Sequence, residues 1–132
     1  IPATNYSEEQ LAESKRQLTK LMRSCAGVYG LLINTVDGHD LLSVFTRDLP
    51  STKISTMTSS FLALGETIAS ESLQKFCQFA MLENSNGRVS SLRINQILML
   101  TCISTKESNP GMLLSTGKSA ADAIANILVS PS

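Results

Sequence analysis

The sequence predicts an α+β fold in three layers: a five-stranded antiparallel sheet with one long helix on one face and two terminal helices on the other. Three observations carry this. Apolar periodicity switches between 3.6 and 2 in the order helix, two strands, helix, three strands, helix. Three strand runs, Val28–Thr35, Lys75–Glu83 and Gln96–Ser104, are apolar on both alternating sets, which calls for cover on both faces of the sheet. Short turn signals join the strands within each group, which makes them antiparallel, and a single helix links the groups.

Residues 1–6, with Pro2 and Asn5, read as a lead-in. Ser7 is placed as a helix N-cap, with Gln10 three residues on completing a capping box. Leu11, Leu18, Leu21, Met22 and Cys25 then recur at helical spacing. Glu8, Glu9 and Glu13 come early in this helix and Lys15, Arg16, Lys20 and Arg23 late, an order that complements the helix dipole and otherwise describes a solvated face. Gly27 serves as the helix stop. Strand Val28–Thr35 follows, then the hairpin turn Asp37-Gly38 and the strand Leu41–Phe45. After the middle helix come Lys75–Glu83, the turn Asn84–Gly87, the more polar strand Arg88–Ile94, a tight Asn95-Gln96 connection and Gln96–Ser104, together a meander. Asn109-Pro110 reads as the N-cap and first position of a last helix, with Leu113, Leu114, Ala120, Ala121, Ile124 and Leu128 on its apolar face and Pro131 beyond its end.

The middle helix, Ser51–Ser72, is unusual. Ser51 is its expected N-cap. Ile54, Met57, Phe61, Leu64 and Ile68 form one apolar stripe, and Ser55, Thr58, Leu62, Gly65 and Ala69 form a second stripe of small and apolar residues beside it. Only Lys53, Glu66 and Glu71 are charged, whereas a surface helix keeps a polar face. The helix is therefore expected to pack on both sides: the Ile54–Ile68 stripe on its own sheet, the Ser55–Ala69 stripe on a second copy of the chain. Gly65 costs about 1 kcal/mol against alanine inside a helix, so close approach of another backbone is expected there.

The composition excludes several classes of function. The 132 residues suit one domain, with a core over about 8–128, and the 42% hydrophobic content suits a packed chain. Eleven basic residues against eleven acidic ones give no basic surplus for nucleic acid or for an anionic membrane. No run reaches the roughly 18 apolar residues of a membrane span. No signal-peptide pattern is visible in the residues given, although a chain opening on Ile1 leaves its natural start open. Cys25, Cys77 and Cys102 are widely spaced within apolar stretches, and the lone His39 has no cysteine near it, so zinc and redox motifs are missing. Buried thiols in a reducing, cytoplasmic setting are expected, which makes the Asn5-Tyr6-Ser7 sequon a chance match.

Sites of chemistry are also scarce. Gly111–Ser119, GMLLSTGKS, approaches a phosphate-binding loop but has five residues between its glycines where the motif needs four, and Met112, Leu113 and Leu114 suit a helix. No GxSxG elbow accompanies the many serines. Glu8-Glu9 are explained by a helix start, and Asp37 and Asp40 by a turn. The expectation is no enzyme, no metal and no cofactor.

The pattern resembles the roadblock family, the domain of dynein-associated light chains and of bacterial MglB-type regulators of Ras-like GTPases. The resemblance is carried by Cys25-Ala26-Gly27, Val28–Ile33, the Asp37-Gly38 turn, Leu64-Gly65-Glu66, the Asn86-Gly87 hairpin, Ile97–Ile103 and the Asn109–Leu113 helix entry, where Pro110 departs from the usual pattern. The full-length last helix is more like the bacterial regulators. The resemblance implies a roadblock/profilin-like fold and a homodimer that pairs middle helices side by side and joins the following strands into one sheet. On this chain the implied interface comprises Ser55, Thr58, Leu62, Gly65, Ala69, Phe76, Gln78 and Phe79. The implied role is a non-enzymatic platform that binds a small Ras-like GTPase and modulates its nucleotide cycle. The alternatives are a scaffold subunit that affects no GTPase and a small-molecule sensor using a pocket between sheet and helices. Arg47, Arg88 and Arg93 are read as surface residues; none matches a transferable arginine finger.

Overall fold

A computed structural model of the chain describes residues 5–129; the lead-in residues 1–4 and Pro131 lie outside the described residues. Three helices and five strands occur in the expected order: α1 (Glu8–Ser24), β1 (Val28–Thr35), β2 (Asp40–Phe45), α2 (Ser51–Glu71), β3 (Ala80–Asn84), β4 (Gly87–Arg93), β5 (Leu98–Ser104) and α3 (Pro110–Ile127). The strands form one antiparallel sheet in the order β2-β1-β5-β4-β3. The apolar β1 and β5 are therefore interior strands, and β2 and β3 are its edges. The fold class is α+β, as the pattern of elements requires.

Local chemistry fixes the helix starts. Ser7 Oγ accepts from Gln10 N at 3.1 Å while Gln10 Oε1 accepts from Ser7 N at 2.8 Å, so the capping box forms in full. Gln10 Nε2 also donates to the carbonyls of Ile127 and Val129, tying the start of α1 to the end of α3. Asn109 Oδ1 caps α3 by accepting from Met112 N at 3.1 Å, with Pro110 at the first position. The expected cap of α2 is different: Pro50 occupies the N-cap and makes no side-chain bond, and Ser51, already inside the helix, donates to Asp40 Oδ2 at 3.0 Å. Gly27 lies one position later than a C′ residue, because α1 ends on an extended Cys25, but its φ of 89° still demands glycine.

Alternation along the strands sorts the core into two layers. Leu31, Ile33, Leu98, Leu100 and Cys102 point to one face and pack with Leu18, Leu21, Leu113, Ala121 and Ile124 of α1 and α3. The opposite face, which α2 covers, mixes buried Leu32, Met99 and Ile103 with polar residues. Asn34, Ser91 and Thr101 are fully buried there or nearly so, Ser91 and Thr101 share a 2.8 Å hydrogen bond, and Asn34 Nδ2 reaches Ser55 O of α2 at 3.4 Å. At the β3–β4 turn, a side chain on Gly87 would lie 2.1 Å from Ser104 O, so only glycine lets the hairpin settle on β5.

Two expectations about elements are corrected. The strand placed at Lys75–Glu83 begins only at Ala80; residues 74–79 belong to no strand, and Lys75 among them is left-handed. The stripes of α2 are also exchanged. Ser55, Thr58, Leu62 and Ala69 are buried against the chain's own sheet, and the larger Met57, Leu64 and Ile68 point outward, each about 60% exposed. The reason is chiefly steric: the sheet face carrying Asn34, Ser91 and Thr101 beside Leu32 and Met99 accepts a helix face of small residues and hydroxyls, although Asn34 Oδ1 and Ser55 Oγ are left without hydrogen-bond partners there. Those hydroxyls are mostly satisfied locally, as Thr58 Oγ1 donates to Ile54 O at 2.7 Å and Ser59 Oγ to Thr56 O at 2.9 Å.

Candidate self-association surface

The outward face of α2 runs into an open trough of about 540 Å³ between the C-terminal half of the helix and residues 74–81. Leu64, Ile68 and Phe76 line it, and Phe76 is 75% exposed. Leu73 and Leu82 are exposed nearby, as is Met57 further along the helix. Monomeric proteins rarely leave so much contiguous apolar surface bare.

The chain reaches this trough by an abrupt reversal. Leu73 and Lys75 have φ of 62° and 72°, left-handed values rarely adopted outside glycine. Gln74 N donates to Ala69 O at 2.7 Å, and Cys77 N donates to Glu66 Oε1 at 2.6 Å. The other oxygen of Glu66 lies 3.6 Å from Arg93 Nη2. Gly65 makes the close approach possible, since a Cβ there would stand 2.9 Å from Cys77 Sγ. Close approach at Gly65 was legible in the sequence, but the neighbour is the chain's own segment. Beyond this segment β3 pairs with β4 on one side only, so its outer edge is open.

The residues expected at an interface thus divide. Gly65, Phe76, Gln78 and Phe79 are brought together along the trough, Phe79 being half-buried against the main core. Ala69 touches the trough but is buried, and Ser55, Thr58 and Leu62 lie beneath α2. Met57, Leu64 and Ile68 take the outward place. Cys77 is half-buried in the trough, not buried as expected, whereas Cys25 and Cys102 are buried. Burial pushes the Cys102 thiol up to about 12, reinforced by nearby Cys25 and partly opposed by a hydrogen bond from Ser90.

The other sequence candidates serve structure. Arg47 lies over the Tyr29 ring at 3.8 Å. Arg88 binds Glu83 at 2.6 Å and donates to Ser108 O at 2.6 Å, which holds the loop before α3. Arg93 is engaged with Glu66 and with Gln96 O. Gly111–Ser119 lies within α3, with Gly117 packed beneath Leu92, so its amides are committed to a helix. His39 is exposed, and its N–H donates to Thr35 Oγ1 within the turn. The Thr35 hydroxyl also donates to Asp37 and holds that carboxyl below its usual range. Among the described residues no group of three or more His, Cys, Asp or Glu could hold a metal ion, and no helix is long and apolar enough to cross a membrane.

No protein-family model matches the sequence, and no curated protein matches it. Solved structures match the shape closely. The chain superimposes on an MglB described as having a tetrameric arrangement with a TM-score of 0.85 at 16% identity, covering 94% of this chain and 93% of that one. For Myxococcus xanthus MglB the TM-score is 0.84 at 16% identity, over 97% and 98% of the two chains. For a Roadblock/LC7 domain from Streptomyces avermitilis it is 0.78 at 9% identity, over 94% and 98%. The chain therefore has the roadblock fold, most like that of MglB among these three.

Proposed function

We propose that the chain is a non-enzymatic regulator that pairs with a second copy through the outward face of α2 and the open edge of β3, and in that form binds a small Ras-like GTPase and modulates its nucleotide cycle. The observation that carries the pairing is the apolar stripe Met57, Leu64, Ile68 running into the Phe76 trough beside an unpaired strand edge. A two-fold arrangement would cover both features at once, because each copy offers the same helix and the same edge. The GTPase part of the reading rests on the likeness in fold to MglB-type regulators. Arg47, Arg88 and Arg93 are all engaged within the chain, which is no support for any of these three as an arginine inserted into a GTPase site.

Light scattering of the wild type and of Ile68→Arg tests the pairing. Ile68 is exposed, so the variant should fold normally and be monomeric where the wild type is dimeric. A dimeric Ile68→Arg would place the interface elsewhere. Gly65→Arg is the poorer probe, since its side chain would also displace Cys77 within one chain. The GTPase reading is checked by single-turnover hydrolysis and nucleotide exchange with the small GTPases encoded beside this chain. Unchanged rates throughout, together with capture of a larger assembly, would favour the scaffold alternative.

A further inference from the structure

We propose that Glu66 is the positioning residue for this self-association: from α2 it holds the segment ahead of β3 in place and outside the sheet, where a second copy can pair with it. The inference rests on the dimer reading above. The segment has little reason of its own to stay where it is. It begins with two left-handed residues, Leu73 and Lys75, and such conformations persist only where the surroundings hold them. Its side chains anchor it only in part: Phe76 and Gln78 are exposed, while Cys77 and Phe79 are half-buried, Phe79 against the main core. The polar anchor is the Glu66 carboxylate. One oxygen accepts from Cys77 N at 2.6 Å, and the other faces Arg93 Nη2 at 3.6 Å, while Arg93 Nη1 donates to Gln96 O at 3.2 Å. A single side chain thus ties α2, the segment and the β4–β5 end of the sheet together. Just beyond the anchor, no backbone hydrogen bond is formed by the N–H groups of Gln78 and Phe79 among the described residues. Unpaired backbone held beside an apolar trough and continuous with the open edge of β3 is what strand addition requires.

The consequence is energetic. A segment ordered before association adds no ordering cost to it, whereas a loose one must be ordered on binding. Because Phe79 still packs on the main core without Glu66, losing the carboxylate should weaken pairing more than it weakens the monomer.

Dissociation constants from sedimentation equilibrium for wild type, Glu66→Ala and Glu66→Gln test this, alongside urea midpoints at concentrations where each is monomeric. Amide exchange at Cys77 is followed in the same samples. Glu66→Ala should raise Kd at least tenfold, leave the monomer midpoint within error and speed exchange at Cys77. Glu66→Gln keeps an acceptor for Cys77 N–H but not the charge facing Arg93, so its Kd should fall between the two. A Glu66→Ala Kd within twofold of wild type overturns the inference while leaving the dimer intact. A midpoint that drops in step with Kd, without rescue by glutamine, also overturns it by showing a merely structural role. A wild type that never dimerises fails at the earlier step, and this inference falls with it.

Discussion

At the scale of single residues, the structure separates three cysteines that look alike in sequence. Each sits in an apolar stretch, yet Cys77 lines the open trough while Cys25 and Cys102 are buried. Cys25 Sγ lies 2.9 Å from Thr116 Oγ1, which gives that thiol a polar partner across α1 and α3. The thiol of Cys102 is raised from 9.0 to about 12, chiefly by burial. A raised thiol keeps its proton in the folded chain after the unfolded chain has lost it. Between those two values the folded state binds more protons, so stability present below about pH 9 is lost as pH rises towards 12. The loss should reach on the order of 2 kcal/mol by pH 10.5. Urea unfolding at pH 8 and pH 10.5 measures it, and Cys102→Ala should remove that part of the pH dependence. An equal loss in wild type and variant would assign it to other groups. Burial of Cys25 and Cys102 was legible in the sequence; the exposure of Cys77 to the trough and the raised Cys102 thiol were not, because a thiol's environment depends on which strand face it occupies and on what crosses that face.

At the scale of elements, α2 shows what sequence patterning conveys and where it fails. Its length, its two packable faces and the scarcity of charge were all legible. Which face turned inward was not, since bulk apolarity favours burying Ile54–Ile68 and the helix buries Ser55, Thr58, Leu62 and Ala69 instead. The signal that could have settled it lay in the strands. Asn34, Ser91 and Thr101 stand among Leu32, Met99 and Ile103 on one side of the sheet, and a helix face of small and hydroxyl-bearing residues with Leu62 suits that mixed surface. The true start of β3 was equally hidden, because Phe76–Phe79 has strand composition and lacks only a partner within the chain. The exchange of faces makes a paired prediction. Leu62→Arg puts a charge under the helix and should destabilise the fold by several kcal/mol. Leu64→Arg, two positions on and outward, should change monomer stability by less than about 0.5 kcal/mol. Urea midpoints of the two variants, taken under monomeric conditions, compare them directly. Comparable losses at both positions would mean that α2 is not oriented as described.

At the scale of the whole molecule, the antiparallel sheet leaves two edges, and its two surroundings differ. Among the described residues the β3 edge adjoins bare apolar side chains, so association there covers an open ladder and an exposed stripe together. Burying side chains such as Leu64, Ile68 and Phe76 is worth about 1.5–3 kcal/mol each, set against an association cost of at least several kcal/mol. On the proposed pairing the dimer population depends on concentration, and mass action then links folding to pairing. The apparent melting temperature of the wild type should rise with protein concentration, and that of Ile68→Arg should not. Cys77 supplies an independent readout, since it lies in the trough but not in the core. Its reaction with a thiol reagent should be fast in dilute wild type, slow in concentrated wild type and fast at every concentration in Ile68→Arg. Cys25 and Cys102 should react only on unfolding. If Cys77 stays equally reactive while light scattering reports a dimer, the copies meet on another face, and the trough must be assigned to a different occupant.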